Sequence, residues 1–136
     1  MIQPKELRIG NYVDVFDKID EIKSINENEH GGFCKFKNNP YQYYLFHNGE
    51  ALIKPIPLTE EILLKFGFEK IKSDEYPHKF IINKYMSYEV EIENLNSQNC
   101  FVFSHGKKFS LITIEYVHQL QNLHFSLTGK ELTFKK

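Results

Sequence analysis

Histidine and cysteine are the side chains best suited to hold a metal or start a nucleophilic reaction, and here their spacing does neither. His118 and His124 stand six residues apart in a helical segment, on different faces, whereas a zinc pair on a helix sits four apart. His30, His47, His78 and His105 are scattered in or beside expected loops. Neither Cys34 nor Cys100 has a partner at Cys-x-x-Cys spacing. Cys100 with His105 is a conceivable nucleophile pair. Both cysteines lie in aromatic text, Phe33-Cys34-Lys35-Phe36 and Cys100-Phe101-Val102-Phe103, which raises a thiol pKa. They read as buried free thiols and not as a disulfide framework. Glu89, Glu91 and Glu93 resemble paired carboxylates, but they alternate with Tyr88, Val90 and Ile92. That is the period of a strand with one wet, acidic face. No Gly-x-Ser-x-Gly, Walker A or Gly-x-Gly-x-x-Gly pattern occurs. The expectation is no catalytic residue, no metal and no cofactor, because nucleophile, base and oxyanion donor are nowhere gathered.

Two clusters suit binding. Tyr41, Tyr43 and Tyr44 lie beside Phe46 and His47, with Lys35 and Lys37 on the neighbouring expected strand. Tyrosines there can anchor a protein partner. Alternatively, Lys35, Lys37 and Tyr43 can meet a nucleic acid, lysine on phosphate and ring on base. The plainest reading makes the same residues core and rim of a small barrel. The second cluster is the polar face of the C-terminal helical segment: His118, Gln119, Gln121, Asn122 and His124, with no charge between Glu115 and Lys130. A solvated face usually carries lysine and glutamate, so this one packs on something, either the rest of the fold or a partner. His118, Gln121 and Asn122 are its candidate contacts.

The elements that must position these residues follow from pattern. A chain of 136 residues with 41% hydrophobic and 15% aromatic content forms a core, most simply as one domain over 1–136. A subdivision into a strand-rich 1–56 and an α+β part 57–136 is the alternative. Seventeen basic against eighteen acidic residues give a net charge of -1, without the basic excess typical of proteins that live on phosphate contacts. No apolar signal core or run of membrane-spanning length is present, so the chain reads as cytoplasmic.

Tyr12–Phe16, a bent Ile19–Ile25, Phe33–Lys37, Tyr41–Phe46 and Ala51–Ile56 read as strands, with Asn26–Gly32 a polar loop and Asn48-Gly49 a tight turn. They suggest a small curled antiparallel sheet with an SH3-like barrel tendency. Thr59 caps a short helix that Gly67 ends. His78–Lys84, Ser87–Glu93, Asn99–Ser104 and Phe109–Ile114 form a second antiparallel sheet. Glu131–Phe134 either adds a last strand or trails off. A long helix over Thr113–Gly129 covers that sheet with Tyr116, Leu120, Leu123 and Leu127 on one face. Strands, short helix, strands and long helix make the class α+β.

Three stretches carry a resemblance: Glu6-Leu7-Arg8-Ile9-Gly10-Asn11-Tyr12-Val13, Pro57-Leu58-Thr59-Glu60-Glu61-Ile62-Leu63-Leu64-Lys65-Phe66-Gly67-Phe68, and Tyr116–Leu123 with Leu127-Thr128-Gly129. They resemble a family of small proteins carried by phages and prophages. The resemblance brings no activity or catalytic residue. It implies a setting in which small proteins without an active site bind host machinery stoichiometrically, and one such class blocks RNA-guided CRISPR nucleases. The resulting expectation is a non-enzymatic phage-type protein that binds a host protein or ribonucleoprotein, most concretely a CRISPR effector. The alternative is a small RNA- or DNA-binding module using the barrel.

Overall fold

Alternation of apolar and polar residues over Tyr12–Val15 produces strand β1, with Val13 and Val15 buried, in a computed structural model that describes residues 6–28, 31–40, 42–44, 46–47, 50–51, 53–71, 79–82, 88–94, 99–104 and 107–135. The next strand, β2 (Lys18–Asn28), serves two ladders. Its first residues pair with β1, from Val15↔Lys18 to Tyr12↔Glu21. Its later ones pair with β3 (Gly31–Phe36), from Ile22↔Phe36 to Asn28↔Gly31. Between the two, a register shift separates Ile22 from Ser24 and leaves Lys23 as the extra residue. A bulge bends its strand and increases its twist, which is the bend expected near Ile19–Ile25.

Strands β4 (Gln42–Tyr44) and β7 (Ile53–Lys54) complete an antiparallel sheet of order β4-β3-β2-β1-β7. Leu7, Val13, Val15, Ile22, Cys34, Phe36 and Ile53 form its core. Strands β5 (Phe46–His47) and β6 (Glu50–Ala51) pair on either side of Asn48-Gly49. The Asn26–Gly32 tract is not all loop, since the β2–β3 ladder runs on to Asn28↔Gly31. Backbone groups make the ladder, so polar side chains do not end it.

The β1–β2 turn is unusual. Val15 pairs with Lys18, so Phe16 and Asp17 form the whole connection, and both have positive φ, 52 and 66. This is the type I′ geometry that favours Asn-Gly. Asp17 tolerates it, helped by its N–H donating to Asp14 Oδ1 at 2.7 Å. For Phe16 the left-handed conformation costs about 1–2 kcal/mol.

The second half starts from Thr59, whose Oγ1 accepts the Ile62 N–H as the N-cap of helix α1 (Glu60–Lys65). Gly67, at φ 97, ends it. The Phe68 N–H donates to Leu63 O and the Gly67 N–H to Leu64 O, both at 3.0 Å, which is a Schellman motif. Strands β8 (Glu69–Ile71), β9 (Lys79–Ile82), β10 (Tyr88–Asn94), β11 (Asn99–Ser104) and β12 (Lys107–Thr113) follow as an antiparallel meander of order β12-β11-β10-β9-β8. Strand β8 has too little pattern to read from sequence. The supposed wet face of β10 is also corrected. Glu91 is buried, and Lys79 Nζ lies 2.8 Å from its Oε1. As the central strand of five, β10 has neighbours on both edges, and a paired carboxylate can be covered where a lone one cannot.

The C-terminal residues neither add a strand nor trail away. Leu132 is buried, Phe134 lies against Phe66 with ring centroids 4.9 Å apart, and the Lys135 N–H donates to Lys65 O. Helix α2 spans Val117–Thr128. It begins later than Thr113 because that β-branched stretch is drawn into β12. Gln119 Oε1 then accepts the Tyr116 N–H at 3.1 Å, the reach-back half of a capping box.

The described fold is therefore α+β, with two five-stranded antiparallel sheets, one strongly curled into a half-barrel, and a C-terminal helix. By compactness the chain divides into two units, Met1–Pro57 with Tyr116–Asn122, and Leu58–Glu115 with Leu123–Lys136.

Gly67→Ala forces a Cβ into the left-handed region, and a urea titration should register a loss of about 1–2 kcal/mol. Ala at a right-handed helical position such as Lys65 should lose far less.

Candidate functional site

The amide-rich stripe of α2 turns out to face inward. The row expected inside was Tyr116, Leu120, Leu123 and Leu127, but only Leu120 of these is fully buried. Val117, His118, Leu120, Gln121 and His124 are the buried residues. Over Tyr116–Asn122, which belong to the first unit, the polar side meets backbone groups of that same unit.

Gln121 pairs two of them. Its Oε1 accepts the Tyr12 N–H at 2.8 Å and its Nε2 donates to Gly10 O at 3.2 Å, as an adjacent strand would. Asn122 does the same next door. Its Oδ1 accepts from Arg8 Nε at 2.8 Å and Asn11 Nδ2 at 2.9 Å, and its Nδ2 donates to Glu6 O at 2.8 Å. Arg8 Nη2 adds a 3.3 Å bond to Gln121 O, and Asn11 Oδ1 accepts the Arg8 N–H at 2.7 Å. Of the two readings of the stripe, packing on the fold describes Gln121 and Asn122. Sequence reasoning missed Arg8 and Asn11. The available signal was that Arg8 is the chain's single arginine, beside a buried asparagine.

His118 is buried with no hydrogen-bond partner at either ring nitrogen, its ring stacked on Tyr116 at 6.0 Å. Burial lowers its pKa, and Glu6 pulls it partly back. His124 is lowered too, chiefly by burial, although its Nδ1 lies 3.0 Å from Lys130 O. Burial pushes the Cys34 thiol up to about 11 and, with Glu91 nearby, Cys100 to about 12. Neither is a thiolate near neutrality, so neither is an activated nucleophile. Among the described residues no three His, Cys, Asp or Glu side chains are placed to hold a metal ion, and no helix is long and apolar enough to cross a membrane.

One concave site lies on the first sheet. A cleft of about 280 Å³ is lined by Lys23, Lys35, Lys37, Phe36, Asn38, Asn39 and Pro40. Lys23 is the inserted residue, Lys35 sits opposite Ser24, and Lys37 follows the end of β3, so three exposed lysines gather from one ladder. The rim is fixed by Asp20, whose Oδ1 accepts from Asn38 N at 3.1 Å and Asn38 Nδ2 at 3.3 Å, while the Lys37 N–H donates to Glu21 O at 3.0 Å. Lys37 Nζ is 4.0 Å from Glu21 Oε2, an exposed pair that water weakens. Lys35 and Lys37, singled out from sequence, are thus brought together, and Lys23 joins them unforeseen. Tyr41 lies outside the described residues. Tyr43 sits opposite Cys34 and Tyr44 opposite Phe33 in the β3–β4 register, and their side chains are outside the described part.

No family model, curated protein or solved structure matches this chain.

Two measurements follow. Gln121→Ala leaves the Tyr12 N–H and Gly10 carbonyl unpaired and should cost about 1–3 kcal/mol in chemical denaturation. His118 has a depressed folded pKa, so the unfolded chain binds its proton first. Its contribution is intact above the ordinary value of 6.5 and is lost as pH falls below that value. His118→Leu should leave stability at pH 7 undiminished and flatten this acid loss, with His124 supplying the remaining slope. An unchanged acid profile rejects the assignment.

Proposed function

We propose that the protein acts by binding and not by catalysis, and that the lysine cleft meets a nucleic-acid strand, free or carried in a host ribonucleoprotein. The observation that carries this reading is the convergence of Lys23, Lys35 and Lys37 around one cleft. At about 280 Å³ it is at the low edge of the ~300–1,000 Å³ typical of small-molecule sites. A phosphate group on a strand that continues past the cleft fits better than an enclosed metabolite. Raised thiol pKa values, and histidines buried toward their neutral form, support the absence of turnover. The resemblance to phage proteins makes an RNA-guided nuclease the first ribonucleoprotein to test, with stoichiometric inhibition the expected behaviour.

Three phosphate contacts imply a slope of about −2 for log affinity against log salt on a single strand. Oligonucleotide titrations at several salt concentrations should show it. Glu at Lys23, Lys35 and Lys37 together should abolish the binding while circular dichroism stays unchanged. Salt-independent binding, or capture of a host partner that survives both nuclease and the triple substitution, overturns the reading.

A further inference from the structure

We propose that Asn38 reads an unpaired base beside the lysines, and that Asp20 is the positioning residue that fixes which base it reads. The base selected carries an exocyclic amino group, as adenine and cytosine do, in preference to an oxo group at the same place. The inference rests on the nucleic-acid strand assigned to the cleft above and names the kind of strand taken. Asn38 is exposed and lines the cleft next to Lys37. Asp20 is buried, at 7% exposure. Its Oδ1 accepts from Glu21 N at 2.8 Å, Asn38 N at 3.1 Å and Asn38 Nδ2 at 3.3 Å.

A surface asparagine ordinarily discriminates little, since half a turn of its amide exchanges carbonyl for NH2. Asp20 removes that freedom. A carboxylate only accepts, so Nδ2 has to face it, and the backbone N–H of Asn38 holds the residue to the same oxygen. Oδ1 is left over as a fixed acceptor, and no described residue donates to it. Lys23 and Lys35 have no carboxylate partner among the described residues. Ammonium groups that hold phosphate and a neutral acceptor that reads a base are the two halves of nucleic-acid recognition. The 6-amino group of adenine or the 4-amino group of cytosine donates to such an acceptor. The oxo group of hypoxanthine or uracil turns lone pairs toward it. The ring N–H of these bases stands beside that oxygen, so an approach to it also brings two acceptors together. A duplex is read by an element that protrudes into its groove. This site is concave, so the base has to leave its stack and come to the protein, as in single-stranded recognition.

The test uses the full chain and short single strands in two matched pairs, adenine against hypoxanthine and cytosine against uracil. Each pair keeps the ring size and the phosphates and changes the amino group to oxo. Wild type should bind the amino member about two- to tenfold more tightly at equal salt. Asn38→Ala should equalise the members of each pair and leave the salt slope unchanged, because no lysine is altered. Asp20→Asn keeps an acceptor for the Glu21 and Asn38 N–H groups, but an amide there lets Asn38 face either way. It should therefore also equalise the pairs with Asn38 still present, whereas a residue that only braced the chain would leave the ratio as it was. Salt-dependent binding that is equal for amino and oxo strands, or a preference that survives either substitution, overturns this inference and leaves the phosphate contacts standing. Absence of any salt-dependent binding overturns both.

Discussion

Two neutral amides hold the first turns of the long helix. The segment from Glu6 to Tyr12 is only partly paired by the sheet, through Gly10 N–H to Ile22 O and Ile22 N–H to Asn11 O, each at 2.9 Å. The Tyr12 N–H, the Gly10 carbonyl and the Glu6 carbonyl remain, and Gln121 and Asn122 take all three. A carboxylate could accept but not donate, and an ammonium could donate but not accept. Either would also carry a charge out of water at a cost an amide does not incur. The need to pair both kinds of backbone group in a dry place therefore accounts for a helix face with amides and no lysine or glutamate. His118, in the same stripe, has no such partner. Its ring is instead stacked on Tyr116.

The other constraint is the bulge at Lys23. A regular ladder continuing from Ile22↔Phe36 would set Lys23 opposite Lys35; the register shift instead sets Ser24 there and leaves Lys23 as the extra residue. With it, β2 bends between two ladders, and Lys23 lines the same cleft as Lys35 and Lys37. Asp20 completes the arrangement by holding Asn38, and so the chain just beyond β3, against the first hairpin.

The sequence made the class of the fold legible wherever one rule acted alone. Thr59, Gly67 and Phe68 delimit α1 through local backbone bonding, and each lies where the pattern puts it. Cys34 and Cys100 are buried with raised pKa values because aromatic strand text signals burial directly. Reading failed where a tertiary partner reversed a local signal. Composition left open whether Gln121 packs on the fold or on a partner, and strand backbone of its own unit takes it. Alternation set Glu91 outside, but Lys79 and a central position in the sheet let it be covered. The start of α2 was misplaced for a related reason, since helical periodicity at Thr113 yielded to pairing with Asn99. The lysine cleft was half legible. Lys35 and Lys37 stand in a strand pattern, whereas Lys23 joins them only through the pairing of β2 with β3, which the sequence does not display.

A net charge near zero conceals how the charges are sorted. Buried ionisable groups are committed to structure. Glu91 is paired with Lys79, Asp20 accepts from Asn38, and the buried histidines and thiols are held toward their neutral forms. Chemistry that depends on shifted, poised groups needs them in a cleft, and the lining of the lysine cleft includes none of these groups. That cleft instead gathers three exposed lysines, Lys23, Lys35 and Lys37. On the neighbouring hairpin the sign reverses, with Asp14 and Asp17 beside an exposed Phe16. A surface that is neutral in sum and polar in layout discriminates by position, because opposite patches attract only in the matching register and like patches repel in the others.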